Sequence, residues 1–552
     1  MQLKTFLLLL VAGVTASSTP AHHRNSGRRS CPLPTASSLS VNTSQGLVHG
    51  TTDPTTPCVR EFLGIPYAKP PINHLRFRPP QPAGPFPGGV FNATKFGPSC
   101  MQFLIDEPES IYTEFVPEFN LEGISTTSNH LSEDCLSVSV YTPSAAAANR
   151  TKLPVIAFIH GGAFTVSGQD APYTIPRQWV QKSQSHIVVT FNYRLNIFGF
   201  PSAEGLPLED QNLGLQDQRL ALEWTKKNIA SFGGDPSRIA LWGQSAGALA
   251  AGWYQYARDT LEKDPIVDAI MMDSGTEIFP LSRSVLSESK SNFTAVAEKF
   301  GCNHTTPEEE LRCMQTVDAQ DIEFFLEDNM SKFLSGKLGK EPIVFFTPVI
   351  NNVTVFANYS ERAEQKKILN VPTIIGTNTN DGVPFVPLTP NGVNGTLEEA
   401  VTMGFFLCPA FKAASFRLAA GVPVYRYIYT ANFTNISPAP FLGAYHGAEL
   451  PLLFGTDEIA RGASTPDEKK LSKIMEDAWV ALASKGTQGI EATGWSRYTS
   501  VKNGLVRNFG GNPPTPTNNT TTHAVGSPLV TDISLSAMEA LCPNIFQPAF
   551  QL

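Results

Sequence analysis

The 552-residue chain predicts an α/β fold: a central, mostly parallel sheet with helices on both faces. Three observations carry that expectation. Short apolar, β-branched runs recur along the chain, helix-like segments separate several of them, and Gly243-Gln244-Ser245-Ala246-Gly247 joins one run directly to a helix-like stretch. Strands buried on both faces read as near-continuous apolar runs, and alternation with helices supplies the crossovers that parallel pairing needs.

Taken in order, the runs are residues 155–159, 187–191, 239–242, 269–272 and 372–375, each short enough for a buried strand. Residues 217–229, with Leu220, Leu222 and Trp224 among charged neighbours, read as helix. Residues 248–254 read as the helix behind Ser245. In such a sheet the reactive residues collect at the carboxyl ends of the strands. The length allows two domains or one large decorated domain. The only low-complexity stretch, residues 513–522, reads as a surface loop.

Residues 1–16 read as a secretory signal peptide: Lys4 precedes an apolar core at 6–14, and small residues follow for cleavage. That core is too short to span a membrane, and no other apolar stretch reaches about 18 residues, so no integral membrane segment is expected. Residues 17–29 are polar, small and basic, a propeptide or loose tail with Arg28-Arg29 as its processing site. Removing residues 1–29 takes away Lys4, Arg24, Arg28 and Arg29 and no acid, moving the net charge from −8 to −12. An acidic body disfavours nucleic acid as a partner. Eight cysteines with no zinc spacing point to disulfides in an extracellular protein, with no metal and no cofactor expected. Thirteen Asn-x-Ser/Thr sites, among them Asn42, Asn92, Asn292, Asn303, Asn329, Asn352 and Asn435, fit a glycosylated chain, and many fall in polar stretches that read as surface loops.

Glycines two residues either side of Ser245 permit a sharp elbow that pushes its hydroxyl out at the sheet edge, with a helix start behind it. A serine hydroxyl needs a base, an acid to orient that base, and donors for an oxyanion. Only His304, His446 and His523 lie after Ser245. His304 and His523 sit in polar, glycosylation-rich stretches, whereas His446 has Gly447 beside it and apolar company, so His446 is the expected base. Two acids stand at strand ends, Asp273 and Asp381. Asp381 takes a modest preference because the polar loop 376–380 can carry its carboxylate across to His446. For the oxyanion, His160-Gly161-Gly162-Ala163-Phe164 follows a strand with little side chain to block a bound carbonyl, and the amide of Ala246 is the other expected donor.

With these residues in view the chain resembles the type-B carboxylesterases, the family of cholinesterases, secreted fungal lipases and carboxylesterases. The likeness is carried by residues 62–71, Leu75-Arg76-Phe77-Arg78-Pro79-Pro80, Ser132-Glu133-Asp134-Cys135-Leu136, Asn192-Tyr193-Arg194, Gly214-Leu215-Gln216-Asp217-Gln218-Arg219, Phe232-Gly233-Gly234-Asp235-Pro236 and residues 445–451. The resemblance implies a single α/β-hydrolase domain over residues 30–552, with Gly162, Ala163 and Ala246 as oxyanion donors. It selects Asp381 as the acid, through the family's Gly-x-Asn-x-x-acid-Gly loop, where the usual residue is Glu. It also implies disulfides Cys100–Cys135, Cys302–Cys313 and Cys408–Cys542, leaving Cys31 and Cys58 to pair by default. Structural ion pairs Arg76–Glu133 and Arg194–Asp217 follow from it, as does a supporting pair, Ser274 and Glu449, behind the histidine.

Within the family, cholinesterases bind a quaternary ammonium on a tryptophan of the loop matching residues 100–135; that loop has no tryptophan here, and Gln244 replaces their glutamate before the serine. Choline esters are therefore not the expected substrates. The loop mixes Phe103, Leu104, Ile111, Tyr112, Phe115, Val116 and Phe119 with Asp106, Glu107, Glu109 and Glu114, a composition that suits either a lipase lid or a packed flap. Phe164 and Phe385 are candidates for the pocket wall. The expected activity is a secreted serine carboxylic ester hydrolase acting on small-molecule or lipid esters. A biosynthetic transesterase and a catalytically silent adhesion protein are the alternatives.

Overall fold

The computed structural model describes residues 31–103, 110–120, 131–147, 152–263, 265–278, 285–335, 337–339, 341, 343–511 and 528–542. The expected signal peptide, the Arg28-Arg29 pair, His523, and Leu104, Asp106, Glu107 and Glu109 of the flap lie outside the described residues.

Among the described residues ten strands form the main sheet: β1 (Val59–Pro66), β2 (Ser137–Pro143), β3 (Leu153–Ile159), β4 (Ile187–Phe191), β5 (Gly234–Gln244), β6 (Ala269–Asp273), β7 (Thr373–Asn378), β8 (Val424–Tyr429), β9 (Val506–Phe509) and β10 (Val530–Ile533). Their spatial order is β10-β9-β8-β7-β6-β5-β3-β4-β2-β1. From β4 to β9 all neighbours pair parallel. Among the described residues, the antiparallel pairs of this sheet lie at its two edges. This is the α/β architecture expected from the apolar runs, with antiparallel edge strands that those runs did not reveal.

Alternation along each strand sorts side chains onto two cores. On one face Ile156, Phe158, Ala240, Trp242, Met271 and Ile374 pack with Leu471, Met475, Trp479 and Leu482 of the helix Pro466–Ala492. That helix starts with Pro466 at its first turn and a reciprocal Thr465–Glu468 capping box, which satisfies amides that would otherwise lack acceptors. On the other face Val155, Ala157, Ile159, Leu241, Ile270 and Met272 pack against α1 (Leu213–Asn228) and α2 (Ala246–Tyr256). Burying each large aliphatic side chain stabilises the fold by roughly 1.5–3 kcal/mol. A third, smaller core joins Phe77, Phe198, Phe293, Leu311 and Leu326 under the helices Val285–Lys299, Pro307–Met314 and Ala319–Leu334.

Disulfides link Cys31 to Cys58, Cys100 to Cys135, Cys302 to Cys313 and Cys408 to Cys542. Arg76 holds Glu133 at 2.6 Å and Arg194 holds Asp217 at 2.7 Å, both well inside the protein. The glycosylation reading needs a correction at three sites. Asn292, Asn329 and Asn435 are buried, with Asn292 bonded to the Phe345 carbonyl and Asn435 to Glu468, so none of them is open to a glycan in the folded chain. Asn42, Asn92, Asn303, Asn352, Asn358 and Asn394 are exposed. Among the described residues no helix is long and apolar enough to cross a membrane.

Candidate active site

β5 ends at Gln244 and α2 begins at Ala246, so the whole change of direction falls on Ser245. Its φ of 56° and ψ of −124° are strained for a residue with a side chain. The elbow is held on both sides: the Ser245 amide donates to the Asp273 carbonyl at 2.9 Å, and its carbonyl accepts from Leu249 at 3.0 Å. The flanking glycines supply space. A Cβ on Gly243 would lie 2.1 Å from the Gly247 carbonyl oxygen, and one on Gly247 would lie 2.1 Å from that of Ile159. The left-handed backbone belongs to the serine, and both glycines serve the close packing of α2 on β3 and β5.

His446 Nδ1 lies 2.9 Å from Asp381 Oδ1. The partners come from segments that meet edge to edge, because Asn380 bridges Tyr445 and its amide donates to the Ala444 carbonyl at 3.0 Å. β7 runs on through Asn378, so the link to Asp381 is shorter than the loop expected at 376–380, and this bridge rather than loop length delivers the carboxylate. Asp381 Oδ2 accepts from Ser274 Oγ at 3.0 Å and from the Asn378 amide at 2.7 Å. The imidazole is also walled by Phe406 and Phe385, with ring centroids 4.9 and 5.1 Å away. Its Nε2 faces back toward the elbow, 3.2 Å from Gln244 Nε2. His304 is exposed on its loop.

The remaining acids sit behind this pair. Asp273 accepts from Trp242 Nε1 at 2.6 Å and makes no bond to the imidazole. Burial pushes its carboxyl up to about 7, against the opposing pull of the indole hydrogen bond. Glu449 accepts from Asn378 Nδ2; burial first, and then the nearby Asp273 charge, raise its carboxyl well above the ordinary range. Ser274 and Glu449 are connected to the histidine's segment at one remove: Ser274 through Asp381, and Glu449 through Asn378, which also holds the Tyr445 carbonyl at 2.8 Å.

The turn after β3 abuts the elbow. A Cβ on Gly161 would sit 3.0 Å from Ser245 Cβ. Gly162, Ala163 and Phe164 have φ of 92°, 53° and 63°, and the Gly162 carbonyl is tied down by the amides of Thr165 and Val166 at 2.8 and 3.0 Å. The amide of Ala246 is the first of α2, and amides at a helix start lack intrahelical acceptors. Phe164 packs between Phe200 and Trp253, with centroids 5.2 and 5.6 Å away, and is buried. Phe385 is 50 % exposed over the histidine.

Residues 110–120 lie across the site. Tyr112 donates its hydroxyl to the His446 carbonyl at 2.8 Å, and Phe119 packs edge-on against Tyr112, Tyr173 and Tyr445. Arg461 binds Glu118 at 2.7 Å, the Phe115 carbonyl and the Tyr173 hydroxyl. Ile111 and Val116 are buried. Among the described residues this loop is a packed flap. Arg461 was not foreseen from sequence, nor were the contacts by which Tyr112 of the flap and Asn378 of the acid's loop hold the histidine's segment. Asn378 could have been, as the polar residue that ends an apolar strand three positions before the acid.

The sequence model of the carboxylesterase family matches residues 37–396 and 389–524. The chain belongs to that family and is a carboxylic ester hydrolase of the α/β-hydrolase fold. It is 39% identical to secreted lipase 5 of Gibberella zeae over 84% of this chain and 88% of the relative. It is 41% identical to a chlorogenic acid esterase of Aspergillus niger over 87% and 88%, and 29% identical to liver carboxylesterase 1F of Rattus norvegicus over 83% and 88%.

Proposed function

We propose that the protein is an extracellular serine esterase that works through Ser245, His446 and Asp381 and an acyl-enzyme intermediate. The observation that carries the reading is the 2.9 Å contact of His446 Nδ1 with Asp381 Oδ1, on an imidazole whose other nitrogen faces the residue before Ser245. Asp381 keeps the Nδ1 proton in place, so Nε2 presents its lone pair on the serine side. Ser245 Oγ attacks the ester carbonyl as its proton passes to Nε2. The carbonyl oxygen, now negative, is received by the amides of Gly162, Ala163 and Ala246, which need no reorganisation when the charge appears. Nε2–H then protonates the departing alcohol, and water repeats the sequence to release the acid.

The substrates we assign are soluble esters with an apolar or aromatic acyl group. Phe385 presents a half-exposed ring beside the histidine, packed on the buried Phe406, and the flap turns Ile111 and Val116 inward, leaving them unavailable to a lipid interface. The relatives' names cover both a lipase and an esterase of chlorogenic acid. Residues 30–552 act as one domain, exported by the leader at 1–16. Ser245→Ala should abolish turnover of p-nitrophenyl esters with an unchanged circular dichroism spectrum and melting temperature; retained turnover would overturn the mechanism. An acyl-length series on soluble and emulsified substrates tests the substrate class, and a rate jump above the solubility limit would refute it.

A further inference from the structure

The position before the nucleophile carries a buried amide, 6 % exposed, whose Nε2 lies 3.2 Å from Nε2 of His446. With the Nδ1 proton engaged by Asp381, that imidazole nitrogen is bare, so the Gln244 N–H donates to the lone pair that must receive the serine proton. The amide lies in a slot between two glycines: a Cβ on Gly161 would come 2.7 Å from Gln244 Oε1, and one on Gly447 would come 3.6 Å from its Nε2. With no side chain at Gly161, the space beside the amide oxygen is not taken up by a Cβ.

We propose that Gln244 is a positioning residue for the base: in the resting enzyme its N–H caps the His446 Nε2 lone pair, it turns aside to free that lone pair for the Ser245 proton, and its Oε1 then faces the imidazolium until Nε2–H passes to the leaving alcohol. The inference rests on the reading of Ser245 and His446 as nucleophile and base. An amide can serve both protonation states because it carries a donor and an acceptor on one planar group. A carboxylate in its place accepts only, and therefore favours the imidazolium. The other titratable groups around the imidazole are Asp381 from the segment after β7, Asp273 at the end of β6, Glu449 from the histidine's own segment, Glu398 beside Asp381, and Tyr112 from the flap. Gln244 is the neighbour on the serine side of the ring.

The test compares Gln244→Glu and Gln244→Met in the full-length secreted enzyme, reading kcat and KM for a p-nitrophenyl ester against pH. The rate of inactivation by a dialkyl p-nitrophenyl phosphate is followed in parallel. Gln244→Glu should move the acid limb of both profiles to higher pH by about one unit or more, the shift an adjacent opposite charge produces. Gln244→Met should lower kcat roughly tenfold with little change in KM, because the ring is less well aligned. Unshifted limbs in Gln244→Glu, or a wild-type kcat in Gln244→Met, would overturn the proposal. Ser245→Ala is run alongside: if it keeps its activity, the triad reading has failed, and if it is inert while the Gln244 variants match wild type, only this inference has.

Discussion

The hydroxyl of Tyr112 reaches the backbone carbonyl of His446 at 2.8 Å across 334 positions of sequence. A residue of the flap thus helps to hold the segment that carries the base, and Arg461 anchors the same flap through Glu118 and the Phe115 carbonyl. Tyr112→Phe removes one partly buried hydrogen bond and should cost about 1 kcal/mol of stability, with a few-fold loss of kcat. Arg461→Ala should make the flap the first site of proteolytic cleavage, and adding salt to wild type should reproduce only part of that effect, because the backbone contacts are not ionic. Equal protease resistance of wild type and Arg461→Ala would show that the flap is held some other way.

Asp273 ends β6 and Asp381 lies three residues beyond the end of β7, and of the two only Asp381 touches the imidazole. Asp381→Asn should lower kcat by about four orders of magnitude by presenting the wrong tautomer, and Asp273→Asn should stay within about tenfold of wild type. A single p-nitrophenyl ester assay of the two variants decides, and the reverse ranking would move the acid to Asp273.

Glu323 is buried with Asn196 Nδ2 donating to it at 2.7 Å, and burial raises its carboxyl to about 8 from an ordinary value of 4.5. The folded state therefore binds a proton that the unfolded state releases above pH 4.5. Glu323's contribution is fully present below 4.5 and is lost as pH rises to about 8, by up to a few kcal/mol. Glu323→Gln, which does not titrate, should flatten the fall of melting temperature between pH 5 and pH 8. An unchanged slope would exclude Glu323 as its source.

Arg417 and Glu277 are both fully buried and paired at 2.7 Å, and the guanidinium also donates to Gln255 Oε1 at 2.7 and 3.1 Å and to the Ala413 carbonyl at 3.0 Å. Removing one partner strands the other charge, so Glu277→Leu should destabilise the fold by roughly 3–5 kcal/mol. Arg417→Met in the same chain should restore a large part of that loss. Thermal melts of the single and double variants read the difference, and additive losses would contradict it.

The apolar runs and the glycine-flanked serine were legible because they are local: a strand buried on both faces needs consecutive apolar residues, and an elbow between strand and helix needs small neighbours. Residues 187–191 coincide with β4, and the other runs form the centres or ends of β3, β5, β6 and β7. The edges were hidden. β1, an edge strand, contains Arg60 and Glu61, and β8, two strands in from the other edge, contains Arg426; these charges interrupt the apolar pattern, yet all three residues are buried. Arg60 donates to the Ser38 and Phe232 carbonyls, Glu61 pairs with Arg177, and Arg426 pairs with Glu539.

By itself, then, the sequence determined the layer architecture, the serine at the bend, the single histidine with apolar surroundings, and two acids at strand ends. The choice between those acids rested on likeness to a family. Only the tertiary structure brought Asp381 to the imidazole through the Asn380–Tyr445 bridge, turned Asp273 toward Trp242, seated Gln244 against Nε2 and laid Tyr112 across the histidine's backbone. The physical reason is range. Strand, turn and helix follow from interactions among near neighbours in the chain, whereas the contacts that orient a proton acceptor join segments tens to hundreds of residues apart, and their geometry is set by packing.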